Sequence, residues 1–274
     1  MTTQFAEAFV NGTRLRYQLT GTGPTIVLLH GFTLDLRMWD AQMAAFTPHH
    51  QVLRYDLRGF GGSALPDSTV YDHADDLCAL LDHLGIATAT IVGLSMGGGV
   101  ALDFALTYPE RVRALILADA MINGHRWSAE WQAVTVPIWR AAREEGVAAA
   151  KKLWLAHERL FGPALEQQVV AAALMQMVDD YSGWHWCNRD PHWKPPQPAT
   201  EWLTQIDAST LIIIGEREDP DFVAQANLLG TQVPGAQSCV LPGVGHLTAL
   251  ETPDAFNRAV LDFLTALPCQ DEGS

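Results

Sequence analysis

The stretch Thr88-Ala-Thr-Ile-Val-Gly-Leu-Ser-Met-Gly-Gly98 joins an apolar, strand-like run to a run with helical periodicity. Its centre, Gly93-Leu-Ser-Met-Gly97, has the form G-x-S-x-G, in which a serine occupies the apex of a sharp strand-to-helix turn. Glycines two residues to either side leave room for close backbone packing. Ser95 is therefore a candidate nucleophile. The pentapeptide alone is short enough to arise by chance, so its context has to support the interpretation.

Other apolar runs predict a mostly parallel sheet around this turn. Asn11-Gly12 separates two short strand candidates and is typical of a tight hairpin turn. Thr25–Leu29 is apolar on both faces, as expected of a central strand. Further strand candidates are residues 51–55, 90–92, 114–118, 210–214 and 238–241. Helical patterns alternate with them at residues 38–46, 71–84, 96–108 and 253–267. This alternation predicts an α/β fold, a mostly parallel central sheet wound with helices.

The alternation stops between residues 121 and 207, where only helical patterns occur, over 127–145, 147–160 and 163–180, followed by a loop over 191–198. We predict an α/β core of residues 1–120 and 208–274, with an all-helical cap of residues 121–207 inserted over the sheet. Eight of the nine tryptophans lie in the predicted cap: Trp127, Trp131, Trp139, Trp154, Trp184, Trp186, Trp193 and Trp202. Each is explained by a small cap core, and two or three together would suit an apolar substrate pocket.

Composition excludes several classes of partner. The net charge is −14 and there is no basic run, so nucleic acid and an anionic membrane surface are not expected partners. The four cysteines show no short ligand spacing, and the chain has no long apolar segment and no leader-like start. We expect a cytoplasmic protein that uses no cofactor or metal and acts on a small molecule. Both a monomer and a homo-oligomer stay open.

Candidate catalytic side chains follow four of the predicted strands. His30-Gly-Phe32 ends the third strand, Ser95 follows the fifth, Glu218-Asp219 follows the seventh, and His246 follows the last. In an open α/β sheet, the carboxyl ends of the parallel strands meet at one edge, where ligands bind. We therefore expect these segments to converge. The order nucleophile, acid, histidine is also the order that this geometry uses.

Five motifs in this order give the chain a family resemblance: His30-Gly-Phe32, Asp56-Leu-Arg-Gly-Phe-Gly-Gly-Ser63, Gly93-Leu-Ser-Met-Gly-Gly98, Gly215-Glu-Arg-Glu-Asp219 and Gly243-Val-Gly-His-Leu247. Over essentially its whole length the chain resembles α/β-hydrolase-fold serine hydrolases. The resemblance implies Ser95 as nucleophile, His246 as its base, and an oxyanion hole made by the backbone N–H groups of Phe32 and Met96. His30 would orient the oxyanion loop.

The third member of the implied triad departs from the family pattern. Family members most often place an Asp three residues after the glycine that ends the seventh core strand, and here Glu218 holds that position with Asp219 next to it. Glu218 reaches further than an Asp, whereas a one-residue bulge would bring Asp219 into place. Asp119, at the end of the sixth strand, is the third alternative. Asp221 is expected to be a first-turn acid of the following helix.

The resemblance implies an esterase-like enzyme that cleaves a small to medium, largely apolar carboxylic ester through an acyl-enzyme. Serine at position 95 argues against chemistry that uses an Asp nucleophile in this fold. Leu94 before the serine resembles esterases, enol-lactonases and perhydrolases more than carbon–carbon bond hydrolases. The alternatives are therefore a lactonase or perhydrolase, then a carbon–carbon bond hydrolase, and last a non-catalytic ligand-binding protein that keeps the fold.

Overall fold

The computed structural model describes residues 5–193 and 198–267, which contain one eight-stranded sheet. Its strands are β1 (Ala6–Val10), β2 (Thr13–Thr20), β3 (Thr25–Leu29), β4 (Gln51–Tyr55), β5 (Ala89–Leu94), β6 (Val112–Ala118), β7 (Ser209–Gly215) and β8 (Gln237–Leu241). They lie in the order β1-β2-β4-β3-β5-β6-β7-β8. The first two pairings are antiparallel, and every pairing from β4 to β8 is parallel. The predicted mostly parallel sheet is confirmed.

Helices follow most of the parallel strands along the chain. They are α1 (Asp40–Phe46), α2 (His73–His83), α3 (Met96–Thr107), α4 (Ala129–Glu144), α5 (Val147–Leu155), α6 (Glu158–Leu165), α7 (Gln168–Asp180), α8 (Trp184–Cys187), α9 (Pro220–Gln232), α10 (Thr248–Glu251) and α11 (Pro253–Ala266). Short 3₁₀ turns cover Leu36–Trp39, Pro109–Arg111, Ala199–Glu201 and Leu203–Gln205.

The middle of the sheet is the most buried part of the molecule. All residues of β3 and β5 are buried, and so are the last five residues of β6. Apolar runs that are buried on both faces are typical of parallel strands covered by helices. Each fully buried Val, Leu or Ile contributes about 1.5–3 kcal/mol through the hydrophobic effect. The three strands thus form a rigid base for the loops at their carboxyl ends.

Helices α4 to α8 all lie between β6 and β7, and we call residues 121–207 the cap segment. Two predicted helix boundaries in it are wrong. The helix predicted over 147–160 is interrupted, because α5 ends at Leu155 and His157 caps α6 by accepting a hydrogen bond from the Leu160 N–H (3.4 Å). Pro163, expected to begin a helix, lies inside α6 instead. Proline is common in the first turn of a helix, which is why the sequence predicted a helix that begins at Pro163.

Among the polar contacts that attach the cap segment to the core, two are close to the strand ends that carry the predicted site. Asp221, in the first turn of α9, accepts hydrogen bonds from the N–H (3.0 Å) and the hydroxyl (2.5 Å) of Ser128. In α5, Trp154 Nε1 donates to Thr33 Oγ1 over 2.8 Å. Thr33 is a neighbour of Phe32, so the second contact ties the cap segment to the predicted oxyanion loop.

Two further features concern membrane-spanning helices and thiols. Over residues 5–193 and 198–267, no helix combines the length and the apolar character needed to cross a membrane. Cys78, Cys187 and Cys239 are free thiols. Cys269 and part of the loop predicted over 191–198 lie outside the described residues.

Candidate active site

Ser95 occupies a strained turn between β5 and α3. Its φ is 55° and its ψ is −115°, a conformation that residues with a Cβ atom rarely adopt. The turn is held by the backbone: the Ser95 N–H donates to Ala118 O (3.0 Å), and its carbonyl accepts from the N–H groups of Gly99 and Met121 (both 3.1 Å). These bonds tie the serine to β6 and to its own helix, so the strained conformation is fixed by its surroundings.

The backbone around the two glycines of the pentapeptide leaves no room for a side chain. A Cβ atom on Gly93 would lie 2.2 Å from the Gly97 carbonyl oxygen. A Cβ atom on Gly97 would lie 2.2 Å from Leu29 O, in the neighbouring strand β3. Both contacts are with backbone atoms, which cannot move aside as a side chain can. The structure therefore explains both glycines by close packing of the turn against the sheet.

His30 holds the loop that follows β3. Its imidazole is fully buried; Nδ1 donates to Gly31 O (2.9 Å), and Nε2 accepts from the Leu57 N–H (3.0 Å). Burial lowers the pKa of His30, against the effect of nearby Asp56. A neutral imidazole with one donor and one acceptor nitrogen satisfies both bonds. This geometry agrees with the expectation that His30 orients the loop.

Phe32 and Met96 both line the cavity that contains Ser95. Met96 is the first residue of α3, and the N–H groups of a first helical turn have no acceptor within the helix. Phe32 lies in the loop that His30 orients. The structure therefore brings both predicted oxyanion residues to the serine.

The two adjacent carboxylates after β7 make different contacts. Glu218 Oε2 lies 2.7 Å from His246 Nδ1, and Glu218 Oε1 accepts from the Asp219 N–H (2.6 Å). Asp219 turns away and caps α9, since its Oδ1 accepts from the Asp221 N–H (2.9 Å). Asp221 lies in the first turn of α9, as predicted. Of the two alternatives next to each other in the sequence, only Glu218 contacts the imidazole.

Asp119 is a buried neighbour of this pair. Its Oδ1 accepts from the Gly215 N–H (3.0 Å), and its Oδ2 accepts from the Thr248 hydroxyl (2.6 Å). Its φ of 43° is also in the left-handed region. Asp119 thus joins the ends of β6 and β7 to the start of α10, the helix that follows His246. Its carboxylate is engaged by these two donors.

Burial dominates the electrostatics of the site. It raises the pKa of Glu218 to about 8, against the hydrogen bond from the Asp219 N–H. It also raises the pKa of Asp119 well above its usual value, and the neighbouring Glu218 adds to that effect. Burial lowers the pKa of His246, although Asp119 and Glu251 oppose the shift. Because Glu218 Oε2 and His246 Nδ1 are only 2.7 Å apart, we expect the protonation of one group to depend on that of the other. The unprotonated imidazole, which can accept a proton, is favoured.

Sequence reasoning missed Glu251, which shapes the loop around His246. Its carboxylate accepts from the N–H groups of Gly245 (2.7 Å) and Leu247 (2.9 Å), one on each side of the histidine. From the cap segment, Pro163 packs so closely on Gly245 that a Cβ there would lie 2.8 Å from the proline ring. The sequence carries no signal for these contacts, since Glu251 looks like any acid in a short helix.

Ser95 and His246 face an apolar cavity of about 360 Å³, which we call the first cavity. The cap segment contributes Trp127, Trp131, Trp139 and Trp154 to its wall. Thr135 is the one other residue in the wall with a hydroxyl, and no Asp, Glu, Lys or Arg is among the described residues that line it. Four tryptophans therefore line the pocket that was expected to have two or three, while Trp186 is fully buried in the core.

A strained serine at a strand-to-helix turn, a histidine paired with a carboxylate and an apolar cavity define the class of serine hydrolases built on an α/β sheet. The profile described as the alpha/beta hydrolase family matches residues 26–259. The chain therefore belongs to the alpha/beta hydrolase family.

Three similar proteins illustrate the range of the family. The carboxylesterase YbfK of Bacillus subtilis is 28% identical, over 94% of this chain and 88% of its own length. A 2-hydroxy-6-oxononadienedioate/2-hydroxy-6-oxononatrienedioate hydrolase of Comamonas testosteroni is 30% identical, over 92% of this chain and 91% of its own length. The crystal structure of an enol-lactonase from Burkholderia xenovorans LB400 matches with a TM-score of 0.80 and 30% identity, over 95% of this chain and all of that chain (100%).

Proposed function

We propose that this hydrolase cleaves small to medium, largely apolar carboxylic esters through a Ser95–His246–Glu218 triad. The observation that carries the proposal is the 2.7 Å contact between Glu218 Oε2 and Nδ1 of His246, which lines the cavity that also contains Ser95. The carboxylate fixes the imidazole tautomer, so that Nε2 is free to accept the serine proton.

The chemistry proceeds in two halves. His246 takes the proton of Ser95 as the hydroxyl attacks the ester carbonyl, and the N–H groups of Phe32 and Met96 stabilise the oxyanion. Loss of one such donor typically costs about 3 kcal/mol of transition-state stabilisation. His246 then gives the proton to the leaving alkoxide. Water attacks the acyl-enzyme with His246 as base, which releases the acid and restores Ser95.

The charge of the first cavity supports an uncharged substrate. The name of the Comamonas testosteroni relative is that of a hydrolase of dioates, molecules with two carboxylates. A buried carboxylate needs a cationic partner, and the described residues that line the first cavity include no Lys or Arg. A neutral ester fits this wall better than a dicarboxylate does.

A lactone is the second candidate substrate. The similarity to the Burkholderia xenovorans enol-lactonase favours it, and ring opening would use the same serine, histidine and oxyanion donors. The leaving alkoxide of a lactone stays attached to the acyl group, so only the product differs. Parallel assays of esters and lactones of equal carbon number would rank the two.

The experiment that tests the proposal is turnover of p-nitrophenyl acetate, butyrate and octanoate by the wild type and Ser95→Ala. We expect the variant to lose at least about 10³-fold in kcat, since a nucleophile cannot be replaced by a methyl group. Equal rates in both proteins would overturn the proposal and favour the alternative of a non-catalytic ligand-binding protein. Far-ultraviolet circular dichroism of both proteins controls for folding.

A further inference from the structure

A second cavity of about 390 Å³ adjoins the first. The two cavities share Phe32, Met96, Met121 and Trp139 as walls. Two of these residues are methionines, whose unbranched side chains have three rotatable bonds and adapt easily to a ligand. A substrate held at Ser95 can therefore extend past Met96 and Met121 into the second cavity.

The second cavity differs from the first in its chemistry. Besides the shared Trp139, six of its wall residues have hydrogen-bonding side chains: His73, Asn123, His185, Asn188, Asp190 and His192. Two imidazole nitrogens in this wall, His73 Nδ1 and His185 Nε2, are buried and have no hydrogen-bond partner among the described residues. Both histidines are only 5% exposed. Buried polar atoms without partners cost free energy, so this wall has unused capacity for a polar ligand group.

The described residues of this wall offer no permanently cationic side chain to an anion. Burial lowers the pKa of His73 well below its ordinary value and that of His185 to about 4, so both imidazoles are neutral near pH 7. The lining residues described include no Lys or Arg, and Asp190 is acidic. Arg58 is buried nearby under Tyr71, but it is paired with Asp76. The cavity therefore suits an uncharged hydrogen-bonding group and disfavours a carboxylate.

The position of His246 decides which half of an ester reaches the second cavity. His246 has to protonate the leaving oxygen, and it lines the first cavity only. The acyl chain and the leaving oxygen are separate substituents of the carbonyl carbon and point away from each other. The leaving group therefore belongs in the first cavity, and the acyl group points towards the second.

On these grounds, and resting on the proposed esterase function, we propose that the second cavity is an acyl subsite for esters whose acyl chain ends in an uncharged hydrogen-bonding group such as a hydroxyl. The four residues that both cavities share contact the middle of the acyl chain, while His73, His185 and Asn188 bind its polar end. Plain alkyl esters reach the same space but leave His73 Nδ1 and His185 Nε2 without hydrogen-bond partners.

Binding to Ser95→Ala measures this preference without turnover. Calorimetric titration with p-nitrophenyl hexanoate, p-nitrophenyl 6-hydroxyhexanoate and the p-nitrophenyl monoester of hexanedioic acid compares three chain ends on one acyl length. We expect the hydroxyl ester to bind about tenfold more tightly than the alkyl ester, the effect of one well-placed hydrogen bond. The monoester with a terminal carboxylate should bind least tightly.

Added substitutions locate the preference. His73→Phe and Asn188→Leu, each in the Ser95→Ala protein, should lower the ratio of the two dissociation constants towards one. Asn188 is exposed, so its replacement does not threaten folding. Thr135→Val makes a matched polar-to-apolar change in the wall of the first cavity and should leave the ratio unchanged.

The outcomes separate this inference from the esterase proposal. Equal binding of the alkyl and hydroxyl esters, or a ratio that responds to Thr135→Val but to neither His73→Phe nor Asn188→Leu, would overturn the subsite. Tighter binding of the carboxylate ester would overturn its neutral character. Wild-type turnover of p-nitrophenyl hexanoate tests the esterase proposal separately, because the binding ratio does not depend on it.

Discussion

The strand ends of the core and the cap segment hold their residues by different means. Around Ser95, backbone hydrogen bonds and close glycine contacts fix the turn. His246 is held by Glu218, and its loop is held by two backbone N–H groups that donate to Glu251. The cap segment contacts the site mainly through aromatic side chains. One example is Trp139, whose ring stacks on that of Phe32 with the two centroids 6.2 Å apart. Backbone contacts leave little freedom, whereas ring contacts tolerate exchange. The reaction should therefore depend on the core and the selectivity on the cap segment.

The largest effect should come from Glu218→Gln. The amide group of glutamine would donate to His246 Nδ1, so Nε2 would carry the hydrogen and could not accept the Ser95 proton. We expect kcat to fall by about 10⁴-fold, as when the triad acid of a serine protease becomes an amide. Asp219→Asn is the matched control; it should stay within a fewfold of wild type, because Asn caps a helix as well as Asp does. Steady-state kinetics with p-nitrophenyl butyrate measures both, and a larger loss in Asp219→Asn would contradict the assignment.

A pair of glycine substitutions compares the packing of the two regions. Gly97→Ala forces a Cβ against Leu29 O and should lower the free energy of unfolding by about 3 kcal/mol. Gly162→Ala, inside α6 of the cap segment, meets only the Glu158 carboxylate, the far end of a flexible side chain. That variant should be neutral or up to about 1 kcal/mol more stable, because alanine favours the helix. Urea unfolding measures both, and similar losses would remove the contrast between core and cap.

Two tryptophans of the cap segment with the same exposure, Trp139 and Trp202 (each 36%), test selectivity. Trp139 lines both cavities, whereas Trp202 lines neither. Trp139→Ala should raise KM for p-nitrophenyl octanoate about tenfold, through loss of apolar contact, and should change kcat little. Trp202→Ala should leave both parameters near wild type. A fall in kcat with unchanged KM in Trp139→Ala would mean that the cap segment takes part in the chemistry.

The smallest effect concerns pH. The reaction needs unprotonated His246, and burial lowers its pKa below the ordinary value of 6.5. The imidazole of His246 therefore stays unprotonated down to a lower pH than that of an exposed histidine. The acid limb of kcat/KM, which reports the free enzyme, should have its midpoint below pH 6.5. Rates of p-nitrophenyl butyrate hydrolysis across this range measure it, and a midpoint above 6.5 would mean that the neighbouring carboxylates outweigh burial.

The sequence was sufficient for the sheet because its signals are local. Every predicted strand is present, since apolar runs bounded by turn residues report burial on both faces. The convergence of Ser95, Phe32 and His246 on one cavity follows from the rule that parallel strands share a carboxyl edge. The wrong boundaries in the cap segment also have a local cause, because His157 interrupts a run that keeps its helical periodicity.

The choice of acid could not be made from the sequence. Glu218 and Asp219 are adjacent, and which of them faces His246 depends on the backbone at the start of α9, where Asp219 is used as the cap. The contact between Thr33 and Trp154 joins residues 121 positions apart in the chain, and no spacing rule predicts it. The difference between the two cavities has the same origin, since its residues come from separate loops and helices.

The hydrogen bond between Trp154 and Thr33 bears on how new specificities can be engineered in this chain. A cap segment transplanted from another hydrolase would leave the Thr33 hydroxyl without its indole donor, beside Phe32, unless the new segment supplies a donor at the same place. Chimeras that retain a tryptophan at the position of Trp154 should therefore be the first ones to build, because they vary the pocket while preserving the support of the loop.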